Sequence, residues 1–194
     1  FPYWHYRHEL YETPFWLVLL LTLFAFDKGH KLSFSLGLSI LCITHQWGIL
    51  FAPFLLVGFF KKKGFASTAL CIMSVTLVFW IAYKIILKEN LNDFYMHTFG
   101  TYDGLIVYAS SMSLGLWFAK FEILDLLFYF KIIPQLFLMY LAGQYGQRTP
   151  VLVGLLALSL TCLLAFNPVA WTYQYLLVVF LIILGWYFRE ESFA

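Results

Sequence analysis

Three cationic or ionisable side chains stand in or beside apolar stretches, where each can contact a phosphate. Arg7 lies near the N-terminus, His45 lies in the middle of the apolar segment 32–60, and Lys131 lies inside the apolar segment 123–142. A guanidinium can hold a phosphate through two parallel hydrogen bonds. Arg7 and Lys131 are therefore candidates for binding a phosphate group, and His45, an ionisable group in an apolar segment, is a candidate site residue. The alternatives are a snorkelling arginine and lysine and a histidine hydrogen-bonded between helices.

A second set of polar side chains is interleaved with aromatic rings. Carboxylates and amides beside aromatic faces suit a sugar, which offers hydroxyls and C–H patches, although an ordinary interfacial loop has the same mixture. Asp93 or His97 can also act as a base if it is desolvated. The residues that we expect to contact a hydroxylated acceptor are Glu9, Glu12, Asp93, His97, Asn167, Trp171 and Gln174.

Metal and nucleic-acid sites are not predicted. The string His8-Glu9 begins HExxE, which lacks the second histidine of the HExxH zinc motif. The three cysteines lie in apolar stretches without metal-ligand spacing, as buried small hydrophobes do. A net charge of +2 is too small to indicate a nucleic-acid partner. We expect no cofactor, and membrane lipids as partners.

The composition indicates a membrane protein. Hydrophobic residues make up 62% of the 194 residues and charged residues 11%, and the mean hydropathy is +0.82. A soluble domain carries about 25% charged residues. The aromatic content of 22% is typical of membrane interfaces, where Trp and Tyr gather.

The elements that must position these residues are helices. The sequence predicts an all-α, polytopic transmembrane bundle and one multi-spanning domain over 1–194. The candidate helices are 11–26, 32–60, 65–87, 105–119, 123–142, 151–165 and 175–188. Segment 32–60 is too long for one span and is interrupted by His45, Gln46, Gly48 and Pro53, which predicts a broken or re-entrant hairpin. A single kinked helix is the alternative.

Orientation follows from the basic residues near the helix ends. Lys61, Lys62 and Lys63 form the strongest cluster, and the sequence predicts that it is cytoplasmic. Stretch 1–12 and loop 88–103 then fall on the outer face. Whether segment 105–119 crosses the membrane is left open, because the charge counts for the two topologies are nearly equal.

The order of motifs resembles the middle and C-terminal part of the polyprenyl-phosphate-sugar-dependent membrane glycosyltransferases of the GT-C class, which are mannosyltransferase-like enzymes. PYWHYRHELYETPFWLVLLL resembles the segment in which an acidic residue, here Glu9 or Glu12, opens a helix. LSFSLGLSILCITHQWGILFAPFLLVGFFKKKG resembles their broken hairpin with a basic cytoplasmic turn. FNPVAWTYQYLLVVF resembles the luminal turn before the final helices, and NDFYMHTFGTYDG the outer loop between them.

The resemblance implies transfer of a hexose, with mannose as the expected sugar, from a lipid-phosphate donor to a glycan or lipid acceptor on the outer or luminal face. It implies the plasma membrane of a prokaryote or the endoplasmic reticulum. The essential acidic residue of the first outer loop has no counterpart here, so we expect a fragment whose catalytic base lies elsewhere. The rival hypotheses are a transporter or lipid flippase and a noncatalytic membrane subunit. No internal repeat of the kind common in transporters is evident.

Overall fold

The computed structural model describes residues 2–44, 46–82, 84, 114, 121, 124–166 and 174–191, with side chains over most of these ranges. Within them the chain is all-α and forms seven helices. These are α1 (Pro2–Lys28), α2 (Lys31–Thr44), α3 (Gln46–Lys63), α4 (Phe65–Ile81), α5 (Leu124–Tyr145), α6 (Thr149–Ala165) and α7 (Gln174–Glu191). The chain divides into two compact units, Phe1–Asp103 and Gly104–Ala194.

Helices occupy six of the seven apolar segments that the sequence predicts to be helical. The seventh, segment 105–119, lies almost wholly outside the described residues. The prediction that the first helix begins at Tyr11 is wrong, because α1 begins at Pro2. Proline is compatible with the first helical turn, since the amide proton that it lacks has no helical partner there. The polar residues that follow Pro2 do not prevent a helix, and no glycine interrupts them.

In the first unit, α2 lies against α1, α3 and α4. Phenylalanines fill the space between these helices, and the Phe34 and Phe59 rings stack with their centroids 4.3 Å apart. Phe26 contacts both of these rings. The many close contacts among these rings gain dispersion energy in water and in lipid alike, so this aromatic cluster stabilises the packing of the first unit.

The two helices α2 and α3 form an antiparallel hairpin, and the hairpin break is the junction between the end of α2 at Thr44 and the start of α3 at Gln46. Phe34 of α2 stacks on Phe59 of α3, and farther along the pair the Cys42 thiol lies 3.8 Å from the carbonyl oxygen of Gly48. A Cβ atom at Gly48 would overlap the carbonyl oxygen of Leu41. Only glycine therefore allows the two backbones to approach this closely next to the break.

Two reverse turns close the opposite end of the first unit. Gly29 joins α1 to α2 with φ +71°, and Gly64 joins α3 to α4 with φ +80°. Backbone with positive φ costs little for glycine and much more for residues with a Cβ atom. Both turns lie beside the lysines that end α1 and α3, and a Cβ at Gly29 would overlap the Lys63 side chain.

In the second unit, α6 lies between α5 and α7 and contacts both. Its side chains are buried on several faces, including Leu152, Leu156, Leu160 and Leu164. Phe130 of α5 contacts Phe166 at the end of α6 with ring centroids 5.3 Å apart. The end of α6 therefore lies beside the first half of α5.

Large apolar side chains also cover much of the outer surface. On α4, Leu70, Met73, Leu77 and Trp80 recur at helical spacing and are 51–67% exposed. In a soluble helix this outward face is polar. Comparable residues line α5 and α7. Within the described part of the chain, no helix is both long and apolar enough to cross a bilayer.

Candidate functional site

Lys131 is the predicted phosphate-binding residue whose side chain the structure describes. It lies in the second turn of α5, between the apolar residues Phe130 and Ile132, and its side chain is half-buried. Within the described residues it forms no ion pair with a carboxylate.

One helical turn beyond Lys131, Gln135 links α5 to α6. The Gln135 side-chain N–H donates to the backbone carbonyl oxygen of Ser159 over 3.0 Å. The Ser159 hydroxyl in turn donates to the side-chain carbonyl oxygen of Gln135. Ser159 is completely buried. Residues four apart share one face of a helix, so the two bonds fix the rotation of the α5 face that carries Lys131.

Lys131 lies at the end of the second unit where α6 stops. Its neighbour Phe130 contacts Phe166, which directly precedes the predicted acceptor residue Asn167. The backbone amide of Leu114 also donates to the carbonyl oxygen of Ala165 over 2.7 Å. The segment 167–173 itself, with Asn167 and Trp171, lies outside the described residues.

The hairpin break and the N-terminal turns of α1 occupy the same end of the first unit. Phe15 of α1 contacts Phe51 of α3, which lies five residues after the first residue of α3. The helix continues from Phe15 towards Pro2, so Glu12, Glu9 and Arg7 lie on the part of α1 that follows. Their backbone is helical, and their side chains lie outside the described residues.

The remaining predicted site residues fall as follows. Gln174 is the first residue of α7, where the structure describes its backbone. His45, Asp93 and His97 lie outside the described residues. The structure therefore does not test the predicted set of acceptor contacts. Arg7 belongs to the first unit and Lys131 to the second.

No protein-family model matches this chain, and neither a curated protein nor a solved structure matches it. The resemblance to GT-C glycosyltransferases thus depends on the motifs alone. Among the described residues, no three side chains of His, Cys, Asp and Glu converge as a metal site would require.

A basic cluster lies at the end of the first unit opposite the hairpin break. It comprises Lys28, Lys31, Lys61, Lys62 and Lys63, with Asp27 among them. The Lys62 ammonium donates to the Asp27 carbonyl oxygen over 2.8 Å and lies 4.9 Å from the centroid of the Phe26 ring. Burial lowers the pKa of Lys62, the charge of Asp27 raises it, and Lys63 lowers it further.

Sequence reasoning missed two of these arrangements. The Gln135–Ser159 pair joins residues 24 apart in different apolar segments, and neither residue alone signals a partner. The signal that the sequence offered was the amide side chain of Gln135, which lies four residues after Lys131 on the same helix face. The hydrogen bond from the Lys62 ammonium to the backbone carbonyl oxygen of Asp27 was also missed. A run of three lysines in a sequence does not show which side chain packs against the protein.

Proposed function

We propose that this protein is a membrane glycosyltransferase that transfers a hexose, with mannose as the expected sugar, from a lipid-phosphate donor to a glycan or lipid acceptor. The observation that carries the proposal is Lys131, a half-buried cation in an apolar helix, at the end of the second unit from which the motif FNPVAWTYQY continues. The motif resemblance supplies the reaction, and the geometry of Lys131 supplies a phosphate contact.

A location in the bilayer is supported by the outward apolar faces. Leu70, Met73, Leu77 and Trp80 form one such face on α4, and Ile133, Leu136, Phe137 and Tyr140 form another on α5. Lipid tails solvate such faces, whereas water does not. The bilayer proposal therefore explains why residues that usually fill a core lie on the surface.

A re-entrant hairpin is supported by the dimensions of α2 and α3. The 14 residues of α2 rise roughly 20 Å, which is less than the hydrocarbon thickness of about 30 Å. Helix α1, with 27 residues, rises roughly 40 Å. The hairpin then enters from the lysine end and returns to it, while α1 continues past the break to the outer face.

In this proposal the acceptor hydroxyl attacks the anomeric carbon of the donor sugar, and the bond from that carbon to the phosphate oxygen breaks. A base takes the hydroxyl proton, and the lipid phosphate leaves with the bonding electron pair. Lys131, with Arg7 and His45 as further candidates, contacts the departing phosphate and stabilises its charge. The base is unassigned.

Acceptor binding is proposed for a set of polar and aromatic residues that the sequence singles out. Carboxylates and amides accept and donate hydrogen bonds to sugar hydroxyls, and an indole ring packs against sugar C–H groups. The residues in this role are Glu9, Glu12, Asp93, His97, Asn167, Trp171 and Gln174.

The experiment is a transfer assay with the protein in its native membranes, where whatever supplies the catalytic base is present, and a labelled polyprenyl-phosphate mannose as donor. We expect labelled product from the wild type and a fall in kcat/KM of about 100-fold for Lys131→Met, the effect of removing one transition-state contact to developing charge. Lys131→Arg keeps the cation and should retain most activity. Lys61→Met, at the exposed basic end, is the matched control.

Two outcomes would refute the proposal. One is the absence of any glycosylated product with mannosyl or other hexosyl donors, accompanied by movement of intact substrate across the bilayer, which would indicate a transporter. The other is equal kcat/KM for wild type and Lys131→Met, which would remove Lys131 from the phosphate site.

A further inference from the structure

A groove of about 660 Å³ runs between α6 and α7 in the second unit. Two glycines shape it. At Gly185 a Cβ atom would lie 3.7 Å from Val153 Cγ1 and 3.8 Å from the Pro150 carbonyl oxygen, so the two helices pass close together there. At Gly154 a Cβ atom would meet no heavy atom within 4 Å. The missing side chain of Gly154 therefore leaves open space in the groove.

Two arginines line one end of this groove. Arg148 immediately precedes α6, and Arg189 lies in the last turn of α7. They lie at the same end because the helices are antiparallel, with Gly185 beside Pro150. The α6 N-terminus adds the positive end of the helix dipole, and no side chain caps it. Among the described lining residues there is no carboxylate.

Beyond the arginines the groove is apolar and open to the outside. Ile182 and Trp186 line it and are 59% and 65% exposed. One turn farther along each helix, Leu158 and Val179 continue the same exposed apolar face. From Arg148 to Gly154 the groove is roughly 9 Å long at the rise of an α-helix. The surface thus changes from cationic to apolar along one line.

We propose that this groove binds an anionic phospholipid, with its phosphate between Arg148 and Arg189 and an acyl chain along Gly154, Ile182 and Trp186. The charge pattern selects an amphiphile, because two guanidiniums match a phosphate and the other lining side chains are apolar apart from the indole N–H of Trp186. Ligand sites commonly enclose about 300–1,000 Å³, and the volume of this groove lies within that range.

This lipid site is separate from the proposed catalytic end. Arg148 directly precedes the first residue of α6. Lys131 lies at the other end of that helix, because its neighbour Phe130 contacts Phe166, which directly follows the last residue of α6. The 17 residues of α6 place the two ends roughly 25 Å apart. The lipid is therefore a stabilising or regulatory ligand rather than the sugar donor, and its binding does not depend on glycosyl transfer.

The test is native mass spectrometry of the full chain with phosphatidylglycerol and phosphatidylcholine in competition. We expect the wild type to retain phosphatidylglycerol at least about tenfold more strongly, as two interfacial cations imply. Arg148→Gln with Arg189→Gln should abolish this preference. Lys28→Gln with Lys31→Gln removes the same charge from the first unit and is the matched control, which should leave the preference intact.

The apolar part of the site is tested by Gly154→Leu, which fills the groove from a position where a Cβ has free space. This variant should lose bound phosphatidylglycerol while keeping the wild-type helical circular dichroism. Leu70→Ala, at an exposed apolar position on α4 in the first unit, should keep the bound lipid. If the arginine double variant and the lysine double variant lost the preference for phosphatidylglycerol equally, the proposal would be overturned, because the general surface charge would then explain the binding. Glycerol phosphate competing as well as the whole lipid would overturn it as well, because the apolar groove would then contribute nothing.

Discussion

At the residue scale, single glycines and one inward lysine decide how the chain turns. Gly64 has φ +80° and ψ 177°, a conformation that is essentially limited to glycine. Gly48 instead has no room for a Cβ atom beside Leu41. The sequence indicates a break near His45 and Gly48, but the close approach of Gly48 to Leu41 depends on the paired helix and could not be predicted from spacing.

Two glycine substitutions should change stability in opposite directions. Gly64→Ala should lower the free energy of unfolding by about 1–3 kcal/mol, because alanine is strained at this φ and ψ. Gly154 lies inside a helix, and a Cβ atom there has free space. Gly154→Ala should therefore raise the free energy of unfolding by about 0.5–1 kcal/mol. Unfolding in mixed detergent micelles measures both, and equal effects of the two changes would contradict the assigned backbone geometry.

The pH dependence of stability should carry the signature of Lys62. Its pKa is lowered in the folded state, mainly by burial, so the unfolded chain binds this proton more readily. The folded state therefore gains stability as pH rises through the window below the ordinary lysine value of about 10.4. The measurement is the free energy of unfolding of the wild type and of Lys62→Met at a series of pH values from neutral up to the ordinary lysine pKa. The variant should lack the gain in stability with rising pH. Parallel curves for the two proteins would refute this prediction.

At the element scale, polar pairs and aromatic contacts hold apolar helices in register. Hydrophobic length predicts α5, α6 and α7 to within a few residues, because apolar runs mark helices independently of their partners. The start of α1 at Pro2 was missed, since polar residues in a helix resemble those of a loop. The hydrogen bonds from Gln135 to Ser159 were also beyond prediction, because they depend on which faces of α5 and α6 meet.

The Gln135–Ser159 pair should show energetic coupling. Gln135→Leu and Ser159→Ala should each lower the free energy of unfolding by about 1 kcal/mol, because each leaves a buried polar group without its partner. Together they should cost less than their sum by about 0.6 kcal/mol, the average for such pairs between membrane helices. Ser74→Ala is the control, since its hydroxyl bonds only the Leu70 carbonyl of its own helix. Additive effects in this double-mutant cycle would show that the pair does not couple the helices.

At the scale of the whole molecule, the proposed bilayer location is supported by the composition and by exposed apolar side chains, while no described helix is long and apolar enough to cross a membrane. Hydrophobic residues make up 62% of the chain, and many of the largest, such as Met73 and Trp80, lie on the surface. The sequence predicted an all-α protein correctly, because its composition leaves few alternatives. Of the candidate site, the phosphate contact at Lys131 stays a prediction, and the contacts that orient α5 could not be predicted, because they require the packed helices.

The claim on which the proposed function and the lipid site both depend is that these apolar faces meet a bilayer. In a variant whose three cysteines are replaced by alanine, single cysteines at Glu12, Lys28 and Lys61 can be labelled in sealed vesicles with a membrane-impermeant maleimide. We predict that Lys28→Cys and Lys61→Cys react from one side and Glu12→Cys from the other, with the protein resisting alkaline extraction. Labelling of all three from the same side, or release of the protein into the aqueous fraction, would contradict the account.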